Sequence, residues 1–520
     1  VEGDALRTLV ATSQALSSER DIRKLLALIL EKSRQVTGAD AGSVYVVEGE
    51  GAVGDKRLHF MLSQNDSTAI DFKELTLDID ERSIVGKAVL SARPINIPDL
   101  ARLDEPDQNP WGFRHNRSFD EKTGYRARSM LTVPMLSARG EVIGVIQLIN
   151  KKRDPARRLT AAADFEGEVT PFDERAEELA LALAAQAGIS LENARLYDEI
   201  KALFEGFVDA SVIAIESRDP TTSGHSRRVA TLSVALAEKV DGIASGPLGE
   251  VRFSPGALKQ IEYAGVLHDF GKVGVREKVL VKAKKLYEED RRAIQMRFAY
   301  VRKAIEAEHA ERKLRLALEL DREQLPARFA EAEADLRRKL ADLDEAWAFV
   351  LKANEPTVLE EGGLERLVEI ASLIYLAPDG ELRPYLEREE VAALQVRRGS
   401  LTDIERVEIE SHVVHTYNFL KKIPWGRSFS DVPRIAGAHH EYLNGGGYPR
   451  RIGADDIPVE SRILTIADIF DALTASDRPY KKAVPIDRAL GIIEGEVKAG
   501  KCDADLYRVF VEAEVYKKVL

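Results

Sequence analysis

Segments alternating apolar with polar residues occupy the first third of this chain, and a long helical run follows them. That order constrains the fold more than any single motif. Ser43-Val-Tyr-Val-Val, Arg57-Leu-His-Phe-Met-Leu, Ser129-Met-Leu-Thr-Val-Pro-Met-Leu and Val142-Ile-Gly-Val-Ile-Gln-Leu-Ile read with period two, and Gly140-Glu141 marks a hairpin turn. Asp21-Ile-Arg-Lys-Leu-Leu-Ala-Leu-Ile-Leu has helical spacing and stops near Gly38, while Ile84–Ser91 reads as a helix between strands. Together these predict an α+β domain with an antiparallel sheet. From Phe172 to about Arg218 the chain is rich in Glu, Ala and Leu and lacks proline, which predicts one long helix. Leu181, Ala185, Ile189, Leu191, Leu196, Ile200 and Leu203 form an apolar stripe along it. The stripe either packs on its own sheet or pairs with a second copy as a parallel dimeric connector. Its direct run into the next region favours the connector.

At 520 residues, the chain has room for about three domain-sized pieces. Residues 275–361 contain no glycine, and 22 of the 50 residues in 301–350 are Asp, Glu, Lys or Arg. That composition predicts long solvated helices, a hairpin broken near Pro326 or Asn354-Glu-Pro356. The charge is expected to form a solvated face, with a docking surface for a partner as the minority reading. No run of 18 apolar residues exists, so no membrane-spanning helix is expected. The opening residues lack the basic stretch and apolar core of a secretory leader, and the start at Val1 leaves room for an upstream segment. A single cysteine, Cys502, rules out an internal disulfide framework and a thiolate zinc site, and points to a reducing, cytoplasmic setting. The net charge of −12 argues against binding a nucleic acid polymer, though a local basic pocket for a small anion remains open.

Six of the nine histidines cluster around short motifs. His225, His268-Asp269, His412, His439-His440 and Asp468 offer imidazoles and carboxylates, and a hydrolytic two-metal site needs about seven such ligands, one of them bridging. A His/Asp set without Cys favours iron, manganese or a similar ion over structural zinc. Successive helical residues point about 100° apart, so each adjacent pair can serve two neighbouring ions. A lone histidine is more often a packed or surface residue than a ligand. Two pairs with aspartates in one region reverse that expectation.

His268-Asp-Phe-Gly-Lys272 matches HDxGK, and His439-His-Glu-Tyr-Leu-Asn-Gly-Gly-Gly-Tyr-Pro449 matches HHExxxGxGYP. Ile466-Ala-Asp-Ile-Phe-Asp-Ala-Leu-Thr-Ala-Ser-Asp-Arg-Pro-Tyr480 matches the closing segment of the same family. Over 206–285 and 399–515 the chain therefore resembles the HD-GYP domain, the bacterial cyclic di-GMP phosphodiesterase branch of the HD superfamily. The resemblance implies an all-α helical bundle over 206–520, interrupted by a helical insertion at about 286–398. It implies His225, His268, Asp269, His412, His439, His440 and Asp468 as metal ligands, with Asp269 bridging. Lys272 would stand beside the scissile phosphate, and Tyr448 and Arg478 would contact substrate. His415, three residues from His412, shares its expected helix face, matches no family ligand and reads as structural support. Members with three ions carry Glu four residues before the first histidine; Thr221 stands there, which implies two ions, iron or manganese. The implied reaction is in-line attack on phosphorus by metal-activated water, with Lys272 helping to offset charge and pGpG or GMP as product. The signature does not read the base, so cyclic GMP-AMP is a rival substrate. A receptor that holds the dinucleotide without cleaving it is the rival from another class, and the intact ligand set argues against it.

Residues 1–195 resemble a GAF domain. The helix–sheet order agrees, and Asn150-Lys151 with Val169-Thr-Pro-Phe-Asp-Glu174 approximates NKxnFxxxDE, with Val169 in place of Phe. Asn150, Lys151 and Asp173 either mark a ligand site or fasten the sheet to the connector helix at 175–218. Cys502 lies far away in sequence, so a covalently attached bilin is excluded, and any small ligand is unspecified. The combined expectation is a dimeric signalling enzyme with a GAF sensor, a long connector helix and an HD-GYP domain.

Overall fold

The computed structural model describes residues 14–16, 18–49, 55–68, 75–105, 109–110, 112–113, 124–218, 223–358, 362–475 and 483–520. The chain divides into two compact units, residues 1–205 and 206–520.

In the first unit, α1 (Ile22–Thr37) begins where the Asp21 side chain accepts the Lys24 N–H and ends at Gly38, whose φ is +73°. Seven strands follow: β1 (Ala39–Glu48), β2 (Arg57–Asn65), β3 (Leu75–Asp78), β4 (Ile95–Ile97), β5 (Met130–Leu136), β6 (Val142–Lys152) and β7 (Val169–Thr170). They pair antiparallel in the order β3-β2-β1-β6-β5-β4, with β7 on the end of β6. Two short helices, α2 (Ile84–Ser91) and α3 (Ala162–Gly167), precede the long α4 (Glu174–Arg218). One sheet face packs on α1 and the first half of α4, the other on α2 with Leu100, Leu103 and Phe113. Covering both faces explains why Ala39 through Val44 are all buried, without alternation.

Ala176, Ala180, Ala184, Ala187, Leu191 and Ala194 form the sheet-facing side of α4. Leu191, which the sequence places on the outer stripe, is thus a core residue. Steps of three and four put it in line with Ala184 and Ala187. Ile189, Leu196, Ile200 and Leu203 stay exposed.

The second unit contains α5 (His225–Asp241), α6 (Pro255–Leu267), α7 (Glu277–Leu280), α8 (Glu288–Glu319), α9 (Leu325–Ala353), α10 (Gly363–Ser372), α11 (Arg388–Leu394), α12 (Asp403–Leu420), α13 (Val432–Ala436), α14 (Val459–Thr474), α15 (Ile486–Lys498) and α16 (Ala504–Glu512). α8 and α9 form the expected hairpin, with Pro326 in the first turn of α9 and Asn354 at its end. Within this largely helical unit, β8 (Ile374–Leu376) and β9 (Leu382–Pro384) form one short hairpin across a turn at Pro378-Asp379-Gly380. Gly380 has φ +86°, which that turn requires. Residues 286–394 have a core of their own, running from Leu286 and Phe298 through Leu343 and Val350 to Leu386 and Leu394.

The two ends of this segment meet at Glu405. This buried carboxylate forms a capping box with Thr402 at the start of α12. It also pairs with Lys282 at 2.7 Å and accepts the Tyr287 hydroxyl. Lys282 precedes the segment and Tyr287 is the N-cap of α8, so both its ends are tied to the helix that carries His412.

Candidate metal centre

Five elements bring the motif residues together. α6 ends at Leu267 with His268 as its cap, and Asp269 opens a tight turn over Phe270–Gly274. That turn is pressed onto α12. The Gly271 N–H donates to Thr416 Oγ1 at 2.8 Å, and the Thr416 hydroxyl donates to the His268 carbonyl at 2.9 Å. A side-chain carbon at position 271 would overlap the His412 carbonyl, so only glycine fits there. His225 is the first residue of α5, and Asp468 lies within α14. His439 and His440 follow α13, and the Thr465 hydroxyl on α14 donates to the His439 carbonyl at 2.7 Å. Both adjacent pairs thus sit at helix ends, not inside helices as the 100° argument assumed.

His225, His268 and Asp269 place ligand atoms within 4.8 Å of one another, as do His268, His439 and Asp468, and His412, His439 and His440. Asp269 faces two ways: Oδ1 lies 3.3 Å from His412 Nε2, while Oδ2 lies 3.3 Å from His268 Nε2 and 2.8 Å from Lys272 Nζ. Asp468 Oδ1 lies 3.2 Å from His225 Nε2. The Nδ1 atoms of His268, His412 and His439 donate to the carbonyls of Gly265, Ile409 and Ala436 at 2.6–2.7 Å. A carbonyl only accepts, so Nδ1 carries the proton and Nε2 presents a lone pair. These three Nε2 atoms are buried and have no hydrogen-bond partner among the described residues. Buried polar atoms without partners are costly. Nitrogen and carboxylate donors converging on such orphans fit divalent cations.

The electrostatics agree. Burial raises the Asp269 carboxyl, but Lys272 and His268 outweigh it and hold Asp269 well below the usual range. Asp468 is likewise lowered by His225 and His268 against the effect of burial. Burial and neighbouring histidines depress His439, and burial depresses His412 and brings His440 to about 4. Burial also opposes charge on His225, but Asp468 and Asp471 win and lift it to about 9.

The Tyr448 ring stands 4.8 Å from that of His440, and burial raises its hydroxyl. Arg478 and Thr221 lie outside the described residues. His415 does not share the inward face: it is exposed and packs beside Gly274. Three helical steps leave a residue about 60° off line, and Thr416, four steps from His412, takes the inward place.

Thr416, Thr465, Asp471 and Glu441 escaped the sequence reading. Buried Glu441 accepts the N–H groups of Arg450 and Ile452, which closes the loop carrying Tyr448. Its place in the HHE triplet, and the i+4 and i+3 spacings of Thr416 and Asp471 from His412 and Asp468, were the available signals.

In the first unit, Asn150 is buried with φ +58°. Its Oδ1 accepts from the Arg128 N–H at 2.7 Å, and its Nδ2 donates to the Arg126 carbonyl. Lys151 pairs with Asp173 at 2.7 Å, and Asp173 accepts the Ala176 N–H at the start of α4. Fastening the sheet to α4 accounts for these Lys151 and Asp173 contacts.

Comparison with known proteins follows the same division. A GAF domain profile matches residues 21–191, and two HD domain profiles match 222–345 and 389–506. The chain thus carries a GAF domain followed by HD-domain sequence in two segments. It is similar to 3'3'-cGAMP-specific phosphodiesterase 3 of Vibrio cholerae, with 45% identity over 102 residues, covering 20% of this chain and 21% of that one. It is also similar to the cyclic di-GMP phosphodiesterase response regulator RpfG of Xanthomonas campestris, with 37% identity over 98 residues, covering 19% and 25%. A cyclic di-GMP phosphodiesterase of Thermotoga maritima shares 45% over 60 residues, covering 12% and 16%. The chain thus spans a quarter or less of the length of these relatives.

Proposed function

We propose that the second unit is a metal-dependent phosphodiesterase that opens cyclic di-GMP to pGpG or GMP, under control of the GAF unit. The observation that carries this reading is the set of three buried, unpartnered Nε2 atoms around a carboxylate facing two ways. His225, His268, Asp269, His412, His439, His440 and Asp468 would hold two divalent ions of the iron or manganese type. When bound, such ions supply Lewis acidity toward a phosphodiester and lower the pKa of water. The chain's own residues do the rest. Lys272 Nζ, held by Asp269, offsets charge on the phosphoryl oxygens, and Tyr448, kept protonated by burial, donates from beside His440. Arg478 completes the proposed substrate contacts.

Cyclic GMP-AMP is the second reading, favoured by the relatives named for that substrate. The exposed Ile189, Leu196, Ile200 and Leu203, spaced seven, four and three apart, suit pairing with a second copy and a homodimer. Among the described residues no helix is long and apolar enough to cross a membrane, which accords with a cytoplasmic enzyme whose GAF unit senses a small ligand.

The test is chromatography of products from manganese- and iron-loaded protein given cyclic di-GMP and 3'3'-cyclic GMP-AMP in parallel. Linear product from the first substrate is expected. Preferential cleavage of the second moves the assignment to the rival, and binding with both substrates intact makes the protein a receptor. Metal analysis should find two ions per chain; three would overturn the argument from Thr221.

A further inference from the structure

His225 is held differently from the other candidate ligands. His268, His412 and His439 are each oriented by a carbonyl three residues earlier in the chain. As the first residue of α5, His225 has no preceding turn of its own helix to lean on. Its Nδ1 instead meets Asp471 Oδ2, a carboxylate from α14, at 2.8 Å. Asp471 is 1% exposed, so this contact is shielded from water. Arg228, one turn along α5, grips the same carboxylate: Nε lies 2.6 Å from Oδ1 and Nη2 3.1 Å from Oδ2. This two-pronged grip keeps Asp471 aimed at His225. Arg228 also donates to the Ser223 carbonyl, in the turn that leads into His225. The next amide, Gly224 N–H, donates to Glu216 on α4 at 2.8 Å.

We propose that Asp471 is a positioning residue for the metal centre, clamped by Arg228 onto His225, and that Glu216 extends this clamp to the end of α4. The proposal rests on the metal-ligand reading above and goes beyond it, because it makes the two ions unequal. A carboxylate on the far nitrogen of a ligating imidazole fixes its tautomer and raises its donor strength. Only the ion on the His225 side gains from that partner. The ion on the His412 side is held by a ring that a neutral backbone carbonyl orients. The connector helix therefore acts on the affinity of one ion, and it does so through Gly224 and His225.

The test is calorimetric titration of the full chain with Mn2+, with the electron paramagnetic resonance of the Mn2+ pair as second readout. Asp471→Asn should weaken one of two binding events by about 10- to 100-fold and leave the other unchanged. Arg228→Gln and Glu216→Gln should weaken the same event by smaller factors. In a His225→Ala background the Asp471 substitution should be silent, which a merely structural role would not produce. Equal weakening of both events, or no change in either, overturns the proposal. Absence of Mn2+ binding in the unaltered chain would instead sink the metal-ligand reading beneath it. Should Asp471→Asn not fold, Arg228→Gln carries the same comparison.

Discussion

Each unit buries a cluster of charged and polar side chains, and the two clusters differ in one respect. In the first unit Asp40 is fully buried. Ser67 donates to its Oδ1 at 2.7 Å, Lys152 stands 3.0 Å from that atom, and Tyr125 donates to Oδ2 at 2.9 Å. Lys152 also donates to the Arg157 carbonyl. In the second unit the histidines are just as buried, yet three Nε2 lone pairs have no donor aimed at them. Burial and charge are common to both clusters. What separates them is how the acceptors are met: the Asp40 carboxylate receives donors from the chain itself, while the three Nε2 lone pairs receive none among the described residues, as a site for an added cation would.

The largest effect that tests this contrast is Asp269→Ala. Removing the carboxylate that faces both histidine sets should abolish metal retention and hydrolysis together, by more than about a hundredfold, since even outer partners are worth 10- to 100-fold. Metal content and product chromatography read the outcome, and retained activity would collapse the distinction. Lys152→Met is the matching change in the first unit. It leaves Asp40 buried without its cation and should cost about 3–5 kcal/mol in chemical unfolding, while the metal content of the second unit stays the same.

A smaller effect concerns Glu405, which is also answered from within the chain. Burial raises it, but Lys282, Tyr287 and the Thr402 amide win and hold it at about 2. Its folded value lies below the ordinary 4.5. The stabilisation is therefore full above pH 4.5 and is lost as pH falls toward 2. Glu405→Gln should remove on the order of 2 kcal/mol at neutral pH and flatten this acid limb, as thermal melts across pH would show. The smallest effect belongs to the solvated hairpin, where Lys339 pairs with Glu308 at 3.3 Å and with Asp335 at 3.8 Å. Lys339→Ala should shift stability by no more than about 0.5 kcal/mol.

What was legible in the sequence follows the range of the forces involved. β1, β2, β5 and β6 and the unbroken α4 announced themselves by local period and the absence of proline, while the three- and four-residue strands β3 and β4 were too short to do so. The motifs proposed as ligands were readable because His268-Asp269 and His439-His440 are adjacent in the chain. The partners that set their geometry were not, because those contacts are remote: Thr416 meets Gly271 across 145 positions and Asp471 meets His225 across 246. Leu191 was misplaced because a helix buried on one face and bare on another carries apolar residues on both. The β8–β9 hairpin was missed because three-residue strands are too short to show a period, although Pro378-Asp379-Gly380 is a turn signal.

The α8–α9 hairpin has a consequence for how the proposed site is divided along the chain. Its tip, Leu320–Gln324, lies between α8 and α9. Everything before that tip contributes His225, His268 and Asp269, and everything after it contributes His412, His439, His440 and Asp468. A chain cut there would yield two fragments, each with part of the proposed ligand set. Metal uptake would then report their reunion, making the protein a natural scaffold for fragment complementation.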